Sequence, residues 1–150
     1  MTIKDPNTNV EVRAVTNMAF RRIFHNAVVM PDGNIWICCG QEVGQPFSDD
    51  KSHTIPEIYN PRDNTMKQLS PGNVPRNYHS TAVLLKDGCI ASGGSGLCGT
   101  CTTNHPNFQV YCPPYHFDKD GNEAVRPKII SMSTENAVHG DTVTMKPIVK

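Results

Sequence analysis

The sequence predicts an all-β protein, and three observations support that prediction. Twelve prolines and eleven glycines are spread over 150 residues, a composition that favours short strands joined by turns. Short apolar runs rich in β-branched residues end in Pro-Asp-Gly and Lys-Asp-Gly turns at residues 31–33 and 86–88. No window of the sequence shows an apolar stripe with the 3.6-residue period of a helix.

A repeat with a period near 50 residues organises the middle of the chain. Residues 22–25 (Arg-Ile-Phe-His) align with residues 76–79 (Arg-Asn-Tyr-His), and this alignment puts Phe24 opposite Tyr78. Residues 57–61 align in the same way with residues 109–113. A period of this length, with about four short strands in each unit, is typical of a β-propeller of the kelch kind.

These patterns divide the chain into three predicted parts. Residues 1–21 form an N-terminal segment at the edge of a preceding blade, and residues 22–125 form about two kelch-like propeller blades. Residues 126–150 begin a C-terminal β-sandwich of the immunoglobulin-like kind, with strands near 128–133 and 141–145, because the alternation changes after Arg126. A propeller needs about four blades to close, so two blades imply missing blades elsewhere.

Charge and hydropathy exclude several classes of partner. Fourteen basic and fourteen acidic residues balance, so there is no electrostatic reason to expect binding to nucleic acid or to an anionic membrane. No run of apolar residues reaches the length of a membrane-spanning helix. The residues at the start of the chain lack the apolar segment of a signal peptide, so we expect no signal peptide in this chain.

The adjacent pair Tyr78-His79 is the first candidate for chemistry. Imidazole and an anionic oxygen are ligands that suit Cu(II). Neighbouring side chains in a regular strand point to opposite faces, so both contact one metal only where a strand begins irregularly. The preceding Pro75 and Arg76 place the pair near such a point. The alternative interpretation is that the pair only packs within the sheet.

The cysteines and the remaining histidines leave further alternatives open. Cys98 and Cys101, followed by His105, have the spacing of the first ligands of a zinc knuckle. The same two cysteines could form a thioredoxin-like redox motif only in a βαβ context, which the sequence does not show. Residues 118–122 are expected to form a hairpin turn rather than a calcium loop. We expect the other four cysteines to be free and buried, and three histidines to be solvated in loops: Cys38, Cys39, Cys89 and Cys112; His53, His116 and His139.

Two segments resemble motifs of the copper-radical oxidases, the family of galactose oxidase and glyoxal oxidase. Residues 76–80 match an Arg-x-Tyr-His-Ser motif, and residues 97–105 match a Leu-Cys-Gly-x-Cys-Thr-Thr-Asn-His segment that follows a glycine-rich turn. The resemblance extends over nearly all of residues 22–145. It implies a secreted enzyme that uses copper and dioxygen to oxidise a primary alcohol or an aldehyde, with release of hydrogen peroxide.

The resemblance also implies roles for individual residues. Tyr78 resembles the axial copper ligand that accepts the proton of the substrate hydroxyl, and His79 resembles an equatorial copper ligand. The family's pocket-lining residues match Phe24, Pro46 and Phe47, and its structural disulfide matches Cys98 and Cys101.

Other family features have no counterpart in this sequence. Four residues of the family site lie in parts of the family sequence to which this chain does not align. They are the radical-forming tyrosine, its linked cysteine, the stacking tryptophan and the second copper-binding histidine. We therefore expect an incomplete copper site and no activity from this chain alone. The competing hypothesis is a non-enzymatic kelch-like β module that binds a protein or a carbohydrate.

Overall fold

The computed structural model describes residues 12–148, which divide into two compact units between Cys112 and Pro113. Almost all the regular structure is antiparallel β-sheet, so the prediction of an all-β chain is confirmed. Residues 1–11 of the predicted N-terminal segment lie outside the described residues. The elements are β1 (Asn26–Val29), β2 (Ile35–Cys38), β3 (Glu57–Asn60), β4 (Thr65–Gln68), β5 (Ser80–Leu84), β6 (Ile90–Gly94), β7 (Phe108–Tyr111), a 3₁₀ helix (Pro114–His116), β8 (Lys128–Met132) and β9 (Met145–Ile148).

The first unit contains two antiparallel sheets, ordered β1-β2-β3-β4 and β5-β6-β7. Both predicted turns connect the first two strands of a sheet. Gly33 has a φ of +84° and Gly88 a φ of +89°, a backbone region that glycine enters at little cost. The aspartate before each glycine accepts a hydrogen bond from the backbone two residues on, at 3.0 Å for Asp32 and 2.9 Å for Asp87.

One apolar cluster packs the two sheets of the first unit together. The inner strands β1 and β5 lie next to each other, and Asn26 Nδ2 donates to Ser80 Oγ at 3.2 Å. The rings of Trp36 and Tyr111 stack with their centroids 5.6 Å apart and 11° between their planes. The buried members of the cluster are Val28, Met30, Trp36, Cys38, Cys39 and Ile90.

A buried ion pair joins the start of the first sheet to its third strand. Arg22 Nη2 lies 3.1 Å from Glu57 Oε2, and both side chains are 0% exposed. Arg22 also donates to the carbonyl oxygens of Cys39 and Ile55, at 2.8 and 2.5 Å. The second carboxylate oxygen of Glu57 accepts a hydrogen bond from the backbone of Ala19 at 2.7 Å. The guanidinium therefore holds several chain segments at the beginning of β1.

A disulfide between Cys89 and Cys112 corrects the expectation that both residues are free. Strand register explains it, because Ile90 pairs with Tyr111 and the next residue outward on each strand is a cysteine. The two Cα atoms are 4.4 Å apart, within the range that a disulfide spans. The sequence contained a signal for this pairing. Residues 109–113 align with residues 57–61, so β7 is expected to pair with β6 as β3 pairs with β2.

Cys38 and Cys39 are free and buried, as predicted. Cys39 has a φ of +70°, so this residue takes a left-handed conformation that glycine normally occupies. A hydrogen bond with Cys39, together with burial, raises the pKa of the Cys38 thiol. Because the thiolate is the reactive form, burial and the raised pKa make the Cys38 thiol unreactive.

The second unit contains the β8–β9 hairpin, with Met132 opposite Met145. Strand β9 begins at Met145, the last residue of the predicted 141–145 segment. Residues 118–122 form a turn in which Asp118 Oδ1 accepts from the backbone of Asn122 at 2.9 Å, as expected of a hairpin. The domain boundary at Arg126 stays a prediction. Within residues 12–148 no helix has the length and apolar character that a membrane crossing requires.

Substitution of Glu57 by alanine is expected to lower the free energy of unfolding by about 3–5 kcal/mol, because it leaves the buried guanidinium of Arg22 without its counter-charge. Urea unfolding followed by tryptophan fluorescence measures the change. Asp120→Ala removes an exposed ion pair with Lys119 and serves as the control, which should leave the midpoint unchanged. Equal midpoints for the two variants would contradict the role assigned to Arg22.

Candidate metal centre

Tyr78 and His79 immediately precede β5, and their rings lie on the same side of the backbone. The two ring centroids are 3.8 Å apart with 32° between the planes. His79 has a φ of +65°, outside the extended region, so the alternation of a regular strand begins only after it. The irregular strand start that the sequence analysis required is therefore present, and it lets two adjacent side chains converge.

Two phenylalanine rings contact the Tyr78 ring by their edges. Phe24 and Phe47 each lie with their centroids 5.2 Å from that of Tyr78, at interplanar angles of 61° and 88°. Phe47 also lies 5.9 Å from His79 and is 46% exposed. Pro46, next to Phe47, is exposed as well. The structure thus brings together the predicted ligands and the two predicted aromatic residues in one open cluster.

The backbone of the two sheets corrects the repeat alignment that put Phe24 opposite Tyr78. In the first sheet the carbonyl of Ile23 accepts a hydrogen bond from the backbone of Gln41. In the second sheet the carbonyl of Tyr78 accepts the corresponding hydrogen bond from the backbone of Gly96. Phe24 and His79 share the left-handed conformation, with φ of +63° and +65°. Phe24 is therefore the counterpart of His79, because the extra residue of the second repeat lies between Arg76 and His79.

One ring nitrogen of His79 is oriented by the glycine-rich loop. Its Nδ1 atom lies 2.7 Å from the carbonyl oxygen of Gly96. A carbonyl only accepts, so Nδ1 carries the proton, and in the neutral ring Nε2 keeps its lone pair. Metal-binding histidines generally show this arrangement, in which the other ring nitrogen donates to a carbonyl or a carboxylate. Together with the phenol oxygen of Tyr78 it supplies a nitrogen and an oxygen donor, a set that fits copper and makes up part of a site.

Arg76 holds the loop that contains Gly96. Its Nη1 atom donates to the carbonyl oxygens of Gly94 and His105, at 2.8 and 3.2 Å, and Nη2 donates to Asn107 Oδ1 at 2.8 Å. Burial lowers the pKa of the Arg76 guanidinium. One side chain therefore fixes both ends of the loop beside His79, a role that the sequence analysis did not assign to it.

The loop between β6 and β7 is closed by the pairing of Cys98 with Cys101 as a disulfide. The side chain of Asn104 bonds back to the loop, because Nδ2 donates to the Gly99 carbonyl and Oδ1 accepts from the backbone of Cys98. The two sulfur atoms are bonded to each other, and His105 bonds Asp49 at 2.9 Å. The zinc-knuckle interpretation therefore lacks its ligands.

Two of the histidines expected to be solvated are not. The ring of His53 lies 4.7 Å from that of Phe20, and burial lowers the pKa of His53. His116 is buried and bonds Arg126 within the second unit. Only His139 is exposed as predicted.

Comparison with known proteins decides the family. Residues 1–113 match the family described as glyoxal oxidase N-terminus. The chain belongs to the glyoxal oxidase family. A galactose oxidase of Gibberella zeae is 42% identical over 146 residues, covering 97% of this chain and 22% of the enzyme. The aldehyde oxidase GLOX1 of Arabidopsis thaliana is 28% identical over 147 residues, covering 88% of this chain and 23% of its own length.

A solved structure of the family has the same fold. A fungal alcohol oxidase of the AA5 family, determined in complex with copper, superimposes with a TM-score of 0.89 at 42% identity. The match covers 97% of this chain and 31% of that one. The resemblance inferred from the motifs is thereby confirmed, and the chain spans less than a third of the relatives it matches.

Substitution of Gly96 by alanine is expected to destabilise the protein more than substitution of Gly99 by alanine. Both glycines have positive φ, so both changes carry a cost of about 1–2 kcal/mol for a left-handed backbone. At Gly96 the new Cβ would also lie 2.5 Å from the Thr103 carbonyl oxygen, whereas at Gly99 nothing lies within 4 Å. Overpacking adds about 1–3 kcal/mol.

Urea unfolding of the two variants measures the difference. Because the matched control Gly99→Ala has the same backbone strain, the comparison isolates the close approach of the loop at Gly96. Equal losses of stability would show that the loop does not pack against this position.

Proposed function

We propose that Tyr78 and His79 are copper ligands in an oxidase that converts a primary alcohol or an aldehyde, with dioxygen, into the oxidised product and hydrogen peroxide. The single observation that supports this most is the orientation of His79, whose Nδ1 is bonded to Gly96 and whose Nε2 keeps its lone pair. The convergence of the two rings supplies the second donor. The copper-bound relative and the oxidases in the family support the choice of metal.

In this proposal each residue of the cluster has a distinct task. Tyr78 binds the metal through its phenolate oxygen and accepts the hydroxyl proton of the substrate, which requires hydrogen-bond contact between the two oxygens. His79 holds the metal through Nε2. Phe24, Pro46 and Phe47 present apolar surface to the carbon skeleton of the substrate. Copper, when bound, supplies the capacity to accept one electron.

The proposed site is incomplete within this chain. Two protein ligands do not satisfy a copper ion, so the remaining ligands and the radical-forming tyrosine must come from residues outside these 150. This agrees with the small share of the relatives that the chain spans, 22% for the galactose oxidase. The complete enzyme is proposed to be secreted, in keeping with the disulfides of this chain.

The purified chain is expected to bind one Cu(II) ion at a site that contains nitrogen, because His79 presents a free Nε2. Titration followed by electron paramagnetic resonance should show nitrogen hyperfine structure. His79→Ala should abolish it because it removes the nitrogen donor, and Tyr78→Phe should weaken the binding because it removes the oxygen donor. Tyr59→Phe and His139→Ala change the same residue types outside the cluster and should leave the spectrum unchanged. Unspecific binding that survives both site variants would favour the non-enzymatic β module instead.

The chain alone is expected to release no hydrogen peroxide when it is supplied with copper, dioxygen and a panel of primary alcohols and aldehydes. The physical reason is that this chain lacks the radical-forming tyrosine, which would accept the second electron, and has only two of the metal ligands. A coupled peroxidase assay measures the product, and added hydrogen peroxide verifies that the assay responds. Turnover that depends on His79 would disprove the proposed inactivity.

A further inference from the structure

Two loops flank the Tyr78–His79 cluster, and one side-chain pair connects them. Loop 48–52 follows Phe47, and loop 95–105 contains Gly96. Asp49 Oδ2 and His105 Nε2 lie 2.9 Å apart, although 56 residues separate them in the sequence. We propose that this pair, the Asp49–His105 clamp, positions His79 for metal binding. The inference rests on the proposed copper function, and Asp49 and His105 act in it as positioning residues.

On one side, Asp49 of the clamp lies in the hydrogen-bonded turn that follows Phe47. Ser52 Oγ donates to the Asp49 carbonyl at 2.5 Å, and the backbone of Asp50 donates to Ser48 Oγ at 3.1 Å. Gln41, which is 0% exposed, donates through Nε2 to the Asp50 carbonyl at 3.2 Å. Asp49 thus lies in a compact hydrogen-bonded turn two residues after Phe47, whose ring contacts Tyr78 and His79.

On the other side, the clamp is joined to the acceptor of His79. The backbone of His105 donates to the Ser95 carbonyl at 3.2 Å, and the His105 carbonyl accepts from Arg76 at 3.2 Å. Ser95 directly precedes Gly96, whose carbonyl oxygen bonds His79 Nδ1. The backbone of His105 is therefore bonded to the residue before Gly96, and the clamp reaches the carbonyl that bonds His79 Nδ1 through this contact.

A second connection keeps the fold intact when the clamp is removed. Asn77 is 2% exposed, and its Nδ2 donates to the Ser48 carbonyl at 2.9 Å and to Ser52 Oγ at 2.7 Å. Its backbone donates to Ser95 Oγ at 3.0 Å. The side chains of His105 and Asp49 are only partly buried, at 19% and 31% exposed. Truncation of either one therefore leaves the two loops attached through Asn77.

The test measures the tautomer of His79 in the metal-free protein by long-range proton–nitrogen NMR at fixed pH. The wild type should show a proton on Nδ1 alone. Asp49→Ala and His105→Ala should give a mixture of the two tautomers, and the double variant should resemble either single one because the residues act as a unit. Asp49→Asn retains an oxygen acceptor and should restore the wild-type spectrum.

Copper affinity provides the second measurement. The dissociation constant of Cu(II) should rise about tenfold in each alanine variant, the lower end of the effect of residues that orient metal ligands. Asp50→Ala is the matched control, since it removes an exposed carboxylate from the same loop. It should change neither the tautomer nor the affinity.

The two measurements separate failure of this inference from failure of the proposed function. Alanine variants that lose thermal stability but keep a single Nδ1-protonated tautomer would overturn the positioning role. A tautomer change in those variants, with no specific copper binding even by the wild type, would support the positioning role and refute the copper proposal.

Discussion

Buried guanidinium groups determine how each sheet of the first unit begins. Arg22 donates to the carbonyl oxygen of Cys39, and Arg76 donates to that of Gly94, both at 2.8 Å. A guanidinium has five donors in a rigid fork, so one side chain orients several backbone carbonyl groups at once. Because Arg76 also bonds the carbonyl of His105, the loop with Gly96 lies beside His79. The candidate metal centre depends on that placement.

The left-handed backbone at the start of β5 has a functional consequence. Non-glycine residues enter that region at an energetic cost, which surrounding contacts must offset. At His79 the hydrogen bond to Gly96 and the ring contact with Tyr78 supply those contacts. The same conformation occurs at Phe24 in the first sheet, where the side chain has no atom that could bind a metal. The geometry thus belongs to the repeat, and the side chain at this position decides whether it can present a donor atom.

Local patterns predicted much of the first unit. The Asp-Gly turns, the short strands and the family motifs depend on residues near one another in sequence, and the structure has them where they were expected. Contacts between distant residues were not predictable in the same way. The Cys89–Cys112 disulfide was missed because it requires the register of β7 against β6. The Phe24–Tyr78 alignment was wrong because a single inserted residue moves every later position by one.

The sequence by itself determined the all-β class, the repeat, the family and the two candidate metal-binding residues, since these follow from residue types and short spacings. The tertiary structure alone decided that the rings of Tyr78 and His79 converge, that Gly96 selects the tautomer of His79, and that Asp49 meets His105. These contacts bring together residues 17 and 56 positions apart. Their formation depends on loop closure and strand register, which short-range patterns do not specify.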